Sequence, residues 1–215
     1  MRWLTLDIAT AALDNVDQYL DPVEVSVPGN YKKPETIAAY LAEQTPKLEQ
    51  ERRDRAGLDF DLARITAIGF ASDNIEAKVD LCRDLDTEIS TIHGLGDLLR
   101  DTGWQLITFN GPAFDLPMLM SRARWLGVPF PQIVIAPAWK SSVVDMMDVL
   151  AYGDRRRHKS LDAHVRRHGW DLPKTLSGAE EARIFEHGRW DDLAASVRRD
   201  VEATARLAKW CKIIA

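Results

Sequence analysis

The sequence predicts an α/β domain in which a mixed central sheet is flanked by helices. Two strand-like segments are adjacent in the chain, strands and helices then alternate, and the C-terminal part is helical. That order of elements favours a mixed sheet with helices packed on it. The 215 residues suit one domain with a substantial core, and the chain has no internal repeat or low-complexity linker.

Hydrophobic patterning and turn residues predict the first elements. Segment 2–8 has the pattern of a buried strand. Residues 34–57 have a helical composition that begins at a proline and ends at a glycine, and we expect Pro46 to break or kink this helix. Residues 64–72 and 77–83 resemble two paired strands.

The later elements are predicted from amphipathic periods and from the glycines that bound them. They are, in order, a helix over 86–103, a buried strand over 104–110, a loop and helix over 111–127, a helix over 141–153, a helix capped by Ser160, and a helix over 191–210.

Composition indicates a globular protein, because 46% of the residues are hydrophobic and only 28% are charged. No apolar run approaches the ~18 residues of a membrane span, and we see no signal peptide, so we expect a cytoplasmic protein without a membrane partner. The net charge of −5 is uneven, since residues 151–215 carry +4 and the rest −9. A local basic surface can therefore bind phosphates on an acidic protein.

Three acids occupy positions that attract attention only when they are taken together. Asp7 ends the first predicted strand, Asp115 lies just inside a helix start, and Asp200 lies within the last helix. Each alone has an ordinary explanation. Asp7 could cap a turn, Asp115 would be stabilised by the positive end of the helix dipole, and Asp200 could face solvent. Asp145 has an ordinary explanation of the same kind, as a helix cap.

The segments "LDIAT", "FNGPAFDLPML" and "RRDVEAT" around these acids resemble the motifs of the DEDD (DnaQ-like) superfamily of 3′–5′ exonucleases. The resemblance is to the predicted exonucleases related to the proofreading domain of family B DNA polymerases in particular. It covers residues 1–215 as one domain, with 13–57 looking like an insertion. It implies a ribonuclease H-like fold and a metal-dependent 3′–5′ exonuclease that acts on single-stranded nucleic acid, with DNA favoured.

The resemblance also implies a role for individual residues. Asp7, Asp115 and Asp200 would be catalytic and would ligate Mg²⁺ or Mn²⁺, which prefer hard oxygen ligands. In such families two ions ~3.5–4 Å apart activate a water and stabilise the leaving oxygen. Asn110 and Phe114 would contact the 3′-terminal nucleotide, although Phe114 has ordinary core packing as its alternative.

Two positions depart from the family pattern. A second acid is expected two residues after the first, on the same strand face, and this position is Ala9. The family also carries a tyrosine four residues before the last acid or a histidine five before it, and these positions are Ser196 and Ala195. His164 and His168 lie on another predicted helix and are expected to be surface residues.

These departures leave alternatives open. The site has drifted, with weak or lost activity and weak metal binding, or it recruits substitutes such as Asp14 or Glu24. The protein is then an exonuclease, a catalytically inactive nucleic-acid-binding module descended from one, or a scaffold that binds a partner protein.

A basic segment before the Ser160 helix contains Arg155, Arg156 and Arg157. Charge runs are most often solvated loops. Arginine also suits phosphate oxygens, so we expect these three side chains to contact the nucleic-acid backbone.

Overall fold

A five-stranded mixed sheet lies at the centre of the protein, for which a computed structural model describes residues 2–73, 75–101, 103–135, 141–174 and 176–214. The strands are β1 (Arg2–Ala12), β2 (Ala63–Ser72), β3 (Ile75–Leu81), β4 (Trp104–Thr108) and β5 (Val143–Asp145). Their spatial order is β3-β2-β1-β4-β5. The pairs β1–β2 and β2–β3 are antiparallel, whereas β1–β4 and β4–β5 are parallel. The mixed sheet confirms the predicted architecture.

Seven α-helices surround this sheet in the described part of the chain. They are α1 (Pro34–Ala56), α2 (Leu85–Arg100), α3 (Asp115–Trp125), α4 (Met146–Leu150), α5 (Leu161–His168), α6 (Gly178–Glu186) and α7 (Trp190–Trp210). None of the helices in the described residues is both long enough and apolar enough to cross a membrane. The assignment of residues 13–57 as an insertion stays a prediction.

Two predicted elements differ from the structure, and one helix has no predicted counterpart. Helix α1 continues through Pro46, so the predicted break is absent. The segment predicted as one helix over 141–153 forms the edge strand β5 and then the short helix α4, because β5 pairs with β4. Helix α6 was not predicted at all.

The two faces of β1 pack against different helices, as the alternation of side chains along a strand requires. Leu4, Leu6 and Ile8 lie in one core cluster with residues of α2 and α3. Ala9 and Ala11 lie in another cluster with residues of α6 and α7. Asp7 therefore shares the face that α6 and α7 cover.

Helix α7 approaches the sheet closely at Gly69. This glycine pairs with Asp7 in the register of β1 and β2. A Cβ atom on it would lie 2.6 Å from a methyl carbon of Val197 and 2.8 Å from one of Val201. Asp200 lies on the same part of the helix, three residues after Val197. The missing side chain thus lets α7 bring Asp200 toward the Asp7 face.

A buried ion pair fixes the helices on the other face. Glu88 of α2 is fully buried, and its Oε1 accepts hydrogen bonds from the Ile65 amide at 2.7 Å and from Arg122 Nε at 2.8 Å. Arg122 Nη2 donates to Glu88 Oε2 at 2.9 Å, which makes the pair bidentate. The pair joins α2, α3 and β2, and so it supports the helix that Asp115 begins.

Candidate active site

Asp7 and Asp115 are joined through the backbone of β1. Asp7 lies within β1, which continues to Ala12 and so does not end at this acid as predicted. Asp115 is the first residue of α3, and its Oδ1 accepts a hydrogen bond from the Ile8 amide at 3.1 Å. The second motif acid is therefore held beside the first by the strand itself.

A tight turn after β4 delivers Asp115 to this position. Asn110 has a φ of 67°, a left-handed conformation that asparagine tolerates better than most residues. A Cβ on Gly111 would lie 2.4 Å from the Thr108 side chain, so the turn requires glycine there. The backbone N–H of Asn110 donates to Asp145 Oδ1 at 2.7 Å, which fixes the turn against the start of α4.

Asp200 is oriented by a neighbouring arginine. Arg199 donates from Nη1 to Asp200 Oδ1 at 2.5 Å and from Nη2 to Asp162 Oδ1 at 3.0 Å. Its Nε donates to the Leu172 carbonyl at 3.0 Å. The buried Arg199 therefore holds the third motif acid against α5 and the segment that precedes α6.

These acids lie close enough for their charges to interact, with little positive charge nearby. Burial raises the pKa of Asp7 well above its usual range, and the charges of Asp115, Asp200 and Glu181 raise it further, while Lys174 lowers it in part. In the described residues no donor hydrogen-bonds to the Asp7 carboxylate. Burial also raises the pKa of Asp115 to about 7, with Asp145 and Asp200 adding to the shift. The structure thus brings together the three predicted acids.

A fourth acid, Glu181, belongs to the same cluster and was missed by sequence reasoning. It lies on α6, and its Oε1 accepts a hydrogen bond from Ser196 Oγ at 2.7 Å. Burial raises the pKa of Glu181 to about 7, and the charge of Asp200 raises it further. The available signal was the pair Ser177 and Glu180, which forms a capping box at the start of α6.

Two of the predicted nucleotide-contact residues line a groove that also contains Asp145, whose charge acts on Asp115. Asn110 and Arg155 line one groove of about 560 Å³, together with the acids Asp145 and Asp148. Phe114 is half-buried, packs against the core cluster of α2 and α3, and lies 6.3 Å from the Phe60 ring between centroids. Its position supports the packing explanation and leaves part of the ring accessible.

The three arginines of the basic segment have different surroundings. They form a single 3-10 turn whose first residue, Arg155, faces the groove. Arg156 makes two hydrogen bonds of 3.0 Å to the Asp154 carboxylate, and Arg157 lies 3.5 Å from the same carboxylate. Asp154 therefore offsets part of the charge of Arg156 and Arg157, and Arg155 is the better placed for a phosphate.

Several acids and histidines have structural roles instead. Asp145 caps α4 by accepting from the Met147 amide, as predicted. Asp14 accepts a hydrogen bond from Arg64 at 3.0 Å, and its use as a substitute acid stays a prediction. His164 packs against the ring of Phe109, the residue that follows β4. His168 stacks on Trp170 with ring centroids 4.6 Å apart. Glu24 is exposed in an irregular segment that precedes α1.

The donor set of the cluster fits a hard divalent cation. Its members are carboxylates, and Mg²⁺ and Mn²⁺ prefer oxygen ligands. Within the described residues, no three acidic, histidine or cysteine side chains lie close enough to hold one ion as they stand. Hydrogen bonds from Arg199 and Ser196 hold Asp200 and Glu181 in their present positions. Side chains would therefore have to turn when an ion binds.

Comparison with known proteins places this site in a family. A family model described as a predicted 3′–5′ exonuclease related to the exonuclease domain of PolB matches residues 58–213. That range contains Asp115, Glu181 and Asp200, while Asp7 precedes it. A comparison with curated protein sequences gives no match.

A solved structure supports the fold. The family B DNA polymerase from the hyperthermophilic archaeon Pyrobaculum calidifontis is similar with a TM-score of 0.66 and 16% identity. The similarity covers 99% of this chain and 24% of the polymerase, so the chain spans about a quarter of that protein's length. The fold is thus the ribonuclease H-like α/β fold that the motifs implied. The chain belongs to the family of predicted 3′–5′ exonucleases related to the exonuclease domain of family B DNA polymerases.

Proposed function

We propose that the protein is a metal-dependent 3′–5′ exonuclease that acts on single-stranded DNA. The observation that carries this proposal is the convergence of Asp7, Asp115 and Asp200 in one negatively charged cluster, in which the Ile8 amide next to Asp7 holds Asp115. The charges of Asp115 and Asp200 raise the pKa of Asp7, and the charge of Asp200 also raises the pKa of Asp115. Divalent cations are the partners that would offset this charge. The cytoplasm as the site of action stays a prediction.

Each acid has an oxygen available for this role. Ile8 and Arg199 occupy one oxygen of Asp115 and one of Asp200, and these bonds orient both carboxylates. The charges of both carboxylates act on Asp7. Bound Mg²⁺ or Mn²⁺ would supply the activation of the attacking water and the stabilisation of the leaving oxygen. The protein's own task is then to orient the ligands and the scissile phosphate.

The strand end is proposed to bind along the groove beside the acids. Asn110 can donate to or accept from a sugar or base, and the accessible part of Phe114 can stack on the terminal base. Arg155 faces the same groove and can neutralise a phosphate. Asp145 and Asp148 also line this groove and would repel a phosphate. On that side a phosphate would therefore be attracted mainly by Arg155.

A second candidate function is binding of nucleic acid without cleavage. Two observations favour it, namely the methyl group of Ala9 at the position of a family acid and the hydroxyl of Ser196 at the position of the family tyrosine. A module of this kind would retain salt-sensitive binding, since each phosphate contact releases counterions.

A labelled-strand assay distinguishes the two candidates. A 5′-labelled single strand is incubated with the protein and Mn²⁺, beside an identical strand whose 3′ end is blocked. We expect stepwise shortening of the open strand, protection of the blocked one, and no shortening by Asp7→Asn. Asp171→Asn is the matched control, since this acid is exposed and lies outside the cluster. Salt-sensitive binding with no shortening would instead support the binding module.

A further inference from the structure

We propose that Glu181 supplies the carboxylate that is missing at position 9 and ligates metal together with Asp7, Asp115 and Asp200. This proposal rests on the exonuclease function and names one more residue of the same site. Its evidence is the packing of α6 on β1, the hydrogen bond that fixes Glu181, and the charge that the cluster must balance.

Position 9 is covered by the helix that carries Glu181. Ala9 is only 2% exposed and lies in one cluster with Ile184 and Phe185 of α6 and Val197 of α7. A longer side chain at this position would meet these apolar groups, and a carboxylate among them would be costly to ionise. The alanine is therefore what allows α6 to lie on the strand beside Asp7.

The same face of α6 carries Glu181 toward the cluster. Residues three and four apart share a helix face, so Glu181 lies one turn before Ile184 and Phe185, which contact the strand. The negative charge of Glu181 acts on Asp7, and that of Asp200 acts on Glu181. Glu181 therefore approaches Asp7 from α6. A longer side chain at position 9 would approach Asp7 from β1 itself.

Ser196 explains the second departure from the family pattern. It is 3% exposed, lies one turn before Asp200 on α7, and donates from Oγ to Glu181 Oε1 at 2.7 Å. A tyrosine here would place a ring in the space between α6 and α7 that this short contact occupies. The serine therefore positions Glu181 beside Asp200 and leaves its other oxygen available to a cation.

The charge of two bound metal ions explains why a fourth carboxylate is needed at this site. Two divalent ions bring four positive charges, which four carboxylates offset and three do not. Lys174 acts on both Asp7 and Glu181, but it is exposed and offsets only part of the negative charge. With Glu181 the cluster has the full complement of acids, contributed by β1, α3, α6 and α7.

Mn²⁺ binding tests this assignment without relying on turnover. Free Mn²⁺ is followed by electron paramagnetic resonance as the protein is titrated in the presence of a deoxynucleoside 5′-monophosphate, which stands in for the reaction product. The variants are Glu181→Gln, which keeps the shape and the acceptor for Ser196, and Glu186→Gln, an exposed acid on the same helix, as the control. Asp7→Asn reports on the proposed function itself.

We expect Glu181→Gln and Asp7→Asn each to weaken Mn²⁺ binding at least about 10-fold, and Ser196→Ala to weaken it about 10-fold through loss of orientation. Glu186→Gln should match the parent. Loss of binding in Asp7→Asn with parent-like binding in Glu181→Gln would overturn the assignment of Glu181 alone. No Mn²⁺ binding by the parent, or no effect of Asp7→Asn, would refute the exonuclease site and with it this assignment.

Discussion

Removing one acid of the cluster should make the metal-free protein more stable. Asp115 is 5% exposed, and its pKa is raised from 3.8 to about 7 because burial and the neighbouring acids disfavour its charge. The ionised carboxylate therefore destabilises the folded state at pH 8. Asp115→Asn removes the charge and keeps an oxygen that can accept the hydrogen bond from Ile8.

The size of the effect follows from the two pKa values. A difference of about three pH units, at about 1.4 kcal/mol each, sets an upper limit of about 4 kcal/mol. Loss of a carboxylate from the first turn of α3 subtracts up to about 1 kcal/mol. We expect a net gain of about 2–3 kcal/mol at pH 8.

The sign of the pH dependence is fixed by the raised pKa. Between pH 4 and 7 the folded parent holds a proton that the unfolded chain has lost, so its stability falls as the pH rises through this window and levels off above about 7. At pH 4 the parent carboxyl is protonated, so the advantage of the variant should be largely absent there.

Urea unfolding in EDTA at pH 4 and pH 8 measures this effect for the parent, for Asp115→Asn and for the exposed control Asp171→Asn. The control should differ from the parent by less than about 0.5 kcal/mol at either pH. A gain for Asp115→Asn that is equal at both pH values, or no gain at pH 8, would refute an electrostatic conflict at the site.

Three further predictions concern the scaffold and the rim of the cleft. Arg122→Leu leaves the buried Glu88 without its partner and should cost about 3–5 kcal/mol in urea unfolding, so a cost below about 1 kcal/mol would contradict the role of the pair. Arg155→Ala should reduce the slope of log binding constant against log salt concentration, measured with a single strand, by roughly 0.7. Arg156→Ala should reduce this slope less, because Arg156 is already paired with Asp154. Equal effects of the two variants would contradict this difference. Ala9→Glu should destabilise the protein by at least about 1–3 kcal/mol without accelerating strand trimming, and a faster, equally stable variant would show that position 9 is open.

Much of the sheet could be predicted because its signals are local, and the motif acids could be predicted because the short segments around them resemble a known family. The alternation around Asp7, the turn-forming Asn110–Gly111 pair and the amphipathic period around Asp200 each extend over a few neighbouring residues. Strand β5 was missed because three residues carry too little periodicity to separate a strand from the helix that follows. Its identity is set by pairing with β4, which the sequence does not display.

The position of Glu181 near Asp7 and Asp200 could not be predicted for a related reason. Helix α6 is nine residues long and was not recognised, although its capping box was visible in the sequence. The partner that fixes Glu181 is Ser196, fifteen residues away on another helix. Glu181 comes near Asp7 only when α6 packs over Ala9. Ala9, which replaces a family acid, and Glu181 are therefore far apart in the sequence and close together in the fold.

Anomalous diffraction from crystals soaked with Mn²⁺ and a deoxynucleoside 5′-monophosphate would show whether the acidic cluster binds metal. We expect Mn²⁺ density between the carboxylates of Asp7, Asp115 and Asp200, with Glu181 turned toward it. Manganese bound only elsewhere, or an empty cleft at saturating Mn²⁺, would contradict a metal-dependent exonuclease site.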